Sequence, residues 1–183
     1  NKALTRRLKN IDYSGKLVGF LQTINDNYTD KVQADKLIKH FGKKYFFEKL
    51  FDMKFKISPF SFFQVNTKAA EKLYTIIRNF MGKTKDKIVF DLYCGTGTIG
   101  QIIAPNAKKV IGIEIDMDAV KMARENAKLN GLNNCQYYPG KVLDKIEKID
   151  EKPDIILIDP PRPGIHPDAL RKIIELKAEE VIY

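Results

Sequence analysis

The segment Ile88-Val89-Phe90-Asp91-Leu92-Tyr93-Cys94-Gly95-Thr96-Gly97-Thr98-Ile99-Gly100 decides the fold. Ile88 to Leu92 is an apolar run broken by one carboxylate, and it is too short for a helix. The glycines then permit a tight turn into a helix that runs to Ala104. Working outward, the pattern predicts strand Val110–Ile115, helix Asp116–Leu129 with Gly131 past its end, and strand Gln136–Tyr138. A short helix Val142–Ile149, strand Ile155–Ile158, helix Pro167–Leu176 and the start of a strand at Val181-Ile182-Tyr183 follow. β and α segments alternating at this spacing specify an α/β fold, a Rossmann-like, doubly wound parallel sheet.

Upstream the texture changes. Leu17–Leu21 and Lys44–Phe47 read as strands, Met53–Ile57 alternates, and Asp35 to Phe41 is expected to form a short helix. These pieces cannot bury a core alone. Residues 1–60 are therefore expected to be a small, partial α+β appendage, and residues 61–183 the main domain. The aromatic link Ser58 to Asn66 leads into a helix with Asn66 or Thr67 as N-cap and Gly82 as its stop. Ala69, Ala70, Leu73, Ile76, Ile77 and Phe80 are expected on its buried face.

With 183 residues, 44% hydrophobic and 30% charged, the chain is long enough for one full core. No apolar run approaches the roughly 18 residues that a bilayer requires, and the N-terminus lacks a secretory pattern. A cytoplasmic protein with no membrane contact is expected. Cys94 and Cys135 are too few for a disulfide framework and lack metal-binding spacing, so no metal or iron–sulfur cluster is expected. The net charge of +9 favours an anionic partner such as nucleic acid, or reflects a solvated lysine-rich surface.

In an open α/β sheet, ligands sit outside the carboxyl ends of the strands. Asp159-Pro160-Pro161-Arg162-Pro163-Gly164 lies at such an end, directly after Ile155–Ile158. The prolines fix φ and remove backbone donors, which suits a stiff wall. Glu114, ending the second strand, is placed to accept a pair of ribose hydroxyls, or else to cap the helix after it. Asp159 can accept from the N–H of a flipped base. Cys94 reads as a packed thiol with no basic neighbour in sequence, and His166 before Pro167 as a cap or surface residue.

Asp91 precedes the glycines of Gly95-Thr96-Gly97-Thr98-Ile99-Gly100, an arrangement that resembles the S-adenosylmethionine (SAM) methyltransferases. Phe62-Phe63-Gln64-Val65-Asn66, the Asp91–Gly97 segment and Asp159-Pro160-Pro161-Arg162 with Gly164 together resemble the RNA uridine-C5 methyltransferases, in order and spacing, from Ile57 to Tyr183. The resemblance implies a SAM site lined by Gln64, Tyr93, Gly95, Glu114 and Asp159, with Asp159 also orienting the base as a catalytic residue. It implies that Phe62 lies near the target base, and that the partner is rRNA or tRNA. Phe62 and Gln64 are otherwise packing residues, and Arg162 either holds a phosphate or braces its turn. In that family a cysteine in Ser-Cys-Asn-Pro, just past the fifth strand, attacks uracil C6, and a later glutamate is the base. The nucleophile is thus expected beyond Tyr183, and the isolated chain is expected to bind SAM without turnover, with an exposed sheet edge. Lys141 stands where an acid often reaches the adenine. A non-catalytic RNA-binding scaffold, or a methyltransferase acting on guanine or cytosine, are the alternative readings.

Overall fold

The computed structural model describes residues 2–26 and 35–183, which divide into two compact units. The first comprises Asn1–Glu48 and Lys56–Phe60, the second Lys49–Phe55 and Ser61–Tyr183. The first holds helix α1 (Lys2–Lys9), strands β1 (Gly19–Ile24) and β2 (Lys36–Gly42), and the outer parts of the hairpin β3 (Phe46–Leu50) and β4 (Met53–Ile57).

β1 and β2 pair antiparallel, from Gly19 opposite Gly42 to Ile24 opposite Lys36, with a register shift at Phe20/Leu21. The helix expected over Asp35–Phe41 is therefore a strand. Leu37, Ile38 and Phe41 have a spacing that suits either period. Cross-strand pairing with Thr23, Gln22 and Phe20 settles it, because tertiary partners override weak local propensity. α1 has no counterpart among the expected elements. It buries no residue, so it lacks the apolar stripe by which a helix is recognised.

The second unit is a parallel five-stranded sheet in the order β7-β6-β5-β8-β9: Cys135–Pro139, Lys109–Glu114, Ile88–Leu92, Ile155–Ile158 and Glu180–Ile182. The helices α2 (Thr67–Met81), α3 (Thr98–Ile103), α4 (Met117–Leu129), α5 (Val142–Lys145) and α6 (Pro167–Glu175) alternate with these strands. Four of five residues in β5 and all four in β8 are buried, as expected of central strands covered on both faces. Phe90, Leu92, Ile111, Ile113, Ile156 and Ile158 form one core cluster, and Val89, Val110, Ile155 and Leu157 point into another. The α/β, Rossmann-like fold is as the sequence predicts.

α2 begins and ends where the sequence places it. Asn66 Oδ1 accepts from Ala69 N, and Gly82 adopts φ 58° at the other end. Its buried stripe is different from the expected one: Ala70, Tyr74 and Met81 are buried and Ile77 packs on them, whereas Leu73, Ile76 and Phe80 are exposed. The helix is apolar around more of its circumference than one core contact needs, so hydrophobicity alone does not choose the face.

Candidate functional site

Register fixes the site. Leu92 of β5 lies opposite Ile113 of β6 on one side and Ile158 of β8 on the other. The next residue on each strand is Tyr93, Glu114 and Asp159, so three of the expected site residues emerge side by side at the carboxyl edge of the sheet. The chain leaves β5 through Tyr93 at φ 63°, a left-handed backbone that a bulky residue adopts only where its surroundings impose it.

The glycine turn is held from below and open above. Gly97 is left-handed at φ 71°, and a Cβ there would lie 2.7 Å from the Tyr137 ring. A Cβ on Gly100 would meet Asp91 Oδ2 at 2.7 Å, and the Gly100 N–H instead donates to that oxygen at 3.0 Å. Gly95 is the contrary case: a Cβ there would meet nothing within 4 Å, so open space faces this part of the turn. The Glu114 carboxylate accepts from Gly95 N at 3.0 Å through one oxygen and from Asp116 N at 2.9 Å through the other. Asp116 itself caps α4, accepting from Asp118 N and Ala119 N. Glu114 is thus a fixed acceptor and not the cap. Two backbone donors orient its oxygens and leave further lone pairs for hydroxyl donors.

Asp91 is buried beneath the turn, with 2% of its surface exposed. Burial raises its carboxyl to about 7, against the lowering effect of the Gly100 N–H, and the neighbouring Asp159 and Glu114 charges push the same way. The same field reaches Tyr74 on α2, pushed up to about 12 by burial and then by Asp159 and Asp91. Tyr74 is a residue beside the site that sequence reasoning missed. Its only signal is a place in the Ala70–Tyr74–Ile77–Met81 stripe, and that stripe emerges only when the correct helix face is known.

Asp159 is exposed, and the turn after it closes through Gly164 N donating to Pro161 O at 2.8 Å, with Gly164 at φ 83°. Arg162 is exposed on that turn. His166 Nδ1 accepts from Asp168 N and so caps α6. Ahead of α2, Phe63 packs on Phe55 at a ring distance of 5.9 Å and anchors its segment to the core. Its neighbours differ: Phe62 is 73% exposed and Gln64 is half-buried. An apolar ring left this far in solvent beside an anchored one is not packing.

Neither cysteine is primed to react. Burial holds the Cys94 thiol well above its usual range, with Asp91 and Glu114 adding to the effect, and burial raises Cys135 to about 11. Among the described residues no group of three or more His, Cys, Asp or Glu is placed to hold a metal ion, and no helix is long and apolar enough to cross a membrane. A cavity of about 940 Å3 lies elsewhere, lined by Arg78, Lys83, Thr84, Lys87 and Asn106 around the start of β5. Volume does not make it the reaction site, because none of the motif residues lies there and strand amino ends are not where α/β sheets bind substrates.

A family model described as a methyltransferase domain matches residues 83–182, and one described as DNA methylase matches residues 21–125. An uncharacterized RNA methyltransferase of Clostridium tetani is 56% identical over 98% of this chain and 39% of its own length. One from Clostridium acetobutylicum is 52% identical over 98% of this chain and 40% of its length. The chain therefore spans about two fifths of the length of these curated relatives. Among solved structures, the Pyrococcus abyssi tRNA (uracil-54, C5)-methyltransferase in complex with S-adenosyl-L-homocysteine has a TM-score of 0.76 at 25% identity, over 91% of this chain and 41% of that one. The M. jannaschii tRNA m1G37 methyltransferase, at 19% identity and a TM-score of 0.55 over 78% of this chain and 42% of that one, shares the fold. The methyltransferase-domain model takes in β5, the glycine turn, Glu114 and Asp159 over more than half of the sequence, and the chain belongs to that family.

Proposed function

We propose that the protein is a SAM-dependent RNA methyltransferase that modifies C5 of a uridine in tRNA or rRNA. The observation that carries this reading is the line of Tyr93, Glu114 and Asp159 across three adjacent strand ends, beside a turn whose Gly95 faces open space. The names of the Clostridium relatives and the likeness to a uracil-C5 enzyme support RNA as substrate and uracil as target.

The residues fit the cofactor. Glu114 has its carboxylate oriented for two ribose hydroxyls, Gly95 admits close approach, and Gln64, Tyr93 and Asp159 complete the lining. When bound, SAM supplies an electrophilic methyl group. Asp159 also accepts a hydrogen bond from the flipped uracil and orients it, Phe62 offers an exposed ring for that base to stack on, and Arg162 pairs with a backbone phosphate. C5 of uracil becomes nucleophilic when a thiolate adds to C6, and a base must later take the C5 proton as the C6–S bond breaks and the thiolate leaves. Burial disfavours a thiolate at Cys94 and Cys135, and the family resemblance puts the nucleophile beyond Tyr183, so on this reading the isolated chain binds SAM without turnover.

Incubating the full-length protein with bulk tRNA and rRNA and isotope-labelled SAM, followed by nucleoside analysis, tests the reading. Label is expected in 5-methyluridine. Label in a guanine or cytosine derivative, or in DNA offered alongside, would overturn it. RNA containing 5-fluorouridine is expected to trap a covalent adduct.

A further inference from the structure

The first unit carries a groove of about 420 Å3 lined by Lys2, Thr5, Arg6, Lys9, Asn10 and His40. Every ionisable group in that lining is a base. α1 holds Lys2, Arg6, Arg7 and Lys9 with no acid among them. Lys2 and Arg6 are four residues apart, Arg6 and Lys9 three, so like charges face one another at the spacings that destabilise an isolated helix. Among the described residues, Lys2, Arg6 and Lys9 make no ion pair. Burial contributes little to the helix, since none of its residues is fully buried and only Thr5 and Leu8 are half-buried. As a purely structural element it is costly, and an anion in the groove would offset that cost.

Aromatic rings lie beside these cations. Lys9 Nζ sits 4.9 Å over the Phe41 ring, and Phe20 stacks on the His40 ring at 4.7 Å with the planes 24° apart. His40 Nε2 donates to Gln22 Oε1 at 3.0 Å, which fixes the imidazole in place. Unpaired cations for phosphates, the His40 ring in the groove wall for a base, and the Thr5 hydroxyl and Asn10 amide for sugar hydroxyls are the elements of single-strand recognition. A groove of this volume matches a ligand of one or two nucleotides.

We infer that this groove binds a single-stranded segment of RNA, with Arg6 and Lys9 on its phosphates. The inference rests on the RNA reading above and adds a binding surface on residues that the transfer chemistry does not use. Fluorescence anisotropy on the 183-residue chain with a labelled single-stranded RNA tests it, comparing Arg6→Ala/Lys9→Ala with Lys121→Ala/Lys128→Ala, which removes two exposed lysines of α4. The first pair is expected to weaken RNA binding roughly tenfold or more and to flatten the slope of log affinity against log salt by about 1.4, as loss of two phosphate contacts requires. The control pair should change affinity less than about twofold, and SAM binding by calorimetry should be the same in both. Equal losses in the two pairs, or no loss in the first, would overturn the site while leaving the RNA reading intact. Failure of the unaltered chain to bind any RNA while still binding SAM would overturn the site, and the RNA reading is then decided separately by the nucleoside analysis of the full-length protein. Because Arg6 and Lys9 are both exposed, unchanged far-UV circular dichroism is expected for Arg6→Ala/Lys9→Ala.

Discussion

The two units of this chain bury their strands in opposite ways. In the second, β5 and β8 are sealed from solvent on both faces. In the first, neither β1 nor β2 contains a fully buried residue, and Ile57 is the one buried hydrophobic among that unit's described residues. Rigid strands hold strand-end groups in register, and this is what a site built from Tyr93, Glu114 and Asp159 requires. A pair of half-buried strands supports something less exacting, such as a charged surface. Truncating Phe90 to alanine should therefore cost about 3–5 kcal/mol in urea denaturation, as a sealed aromatic does. Leu21→Ala in β1, half-buried, should cost about 1 kcal/mol. Similar costs at the two positions would break the comparison.

Asp91 sharpens it, because only a sealed core can hold a carboxyl near 7. In the unfolded chain this group titrates near 3.8, so between pH 4 and 7 the folded state binds the extra proton. Stability is therefore lost as pH rises through that window, opposite in sign to an ion-paired carboxylate, and the whole effect amounts to about 4 kcal/mol. Asp91→Asn keeps an acceptor for the Gly100 N–H and carries no charge. Its stability relative to the native chain should rise between pH 5 and pH 8 when both are unfolded in urea. A constant difference would show that the carboxyl is not buried as described.

Legibility in the sequence follows the same division. β8 is found where four apolar residues run between turn signals, and the βα alternation from Lys87 onward leaves one arrangement of the sheet. Glu114 and Asp159 are readable as site candidates because each directly follows or ends such a strand. What Glu114 does with its oxygens is not readable, since the Gly95 N–H that it accepts from comes from a neighbouring strand's turn. In the first unit the signal fails for a physical reason: Leu37, Ile38 and Phe41 satisfy helical and extended spacing alike, and only pairing with β1 decides between them. Tyr74 escapes because its importance comes from Asp159 and Asp91, distant in sequence and near in space.

Binding separates the units with a smaller free-energy effect. Glu114→Ala removes the acceptor shared by Gly95 N and Asp116 N, together with the proposed ribose contact. Calorimetry should show SAM affinity falling roughly 10- to 100-fold, the range for hydrogen bonds to a charged group, with RNA affinity unchanged. Arg6→Ala/Lys9→Ala should give the converse pattern. A variant in one unit that weakened both ligands equally would mean that the division of labour is wrong.

The smallest expected effect tests a single helix face. Ile76 is 50% exposed on α2, while the adjacent Ile77 packs against Met81, Val89 and the rest of its core cluster. An amphipathic reading of the sequence puts both on the buried side. The structure separates them by one residue, about 100° around the helix axis. Ile76→Lys should change the stability of the 183-residue chain by no more than about 0.5 kcal/mol, because a lysine there keeps its charge in water and retains good helix propensity. Ile77→Lys must drive an ammonium into the contact between α2 and the sheet, and should cost several times as much. Equal costs would return Leu73, Ile76 and Phe80 to the core, and would mean that the face of α2 carrying Tyr74 is turned away from Asp91 and Asp159.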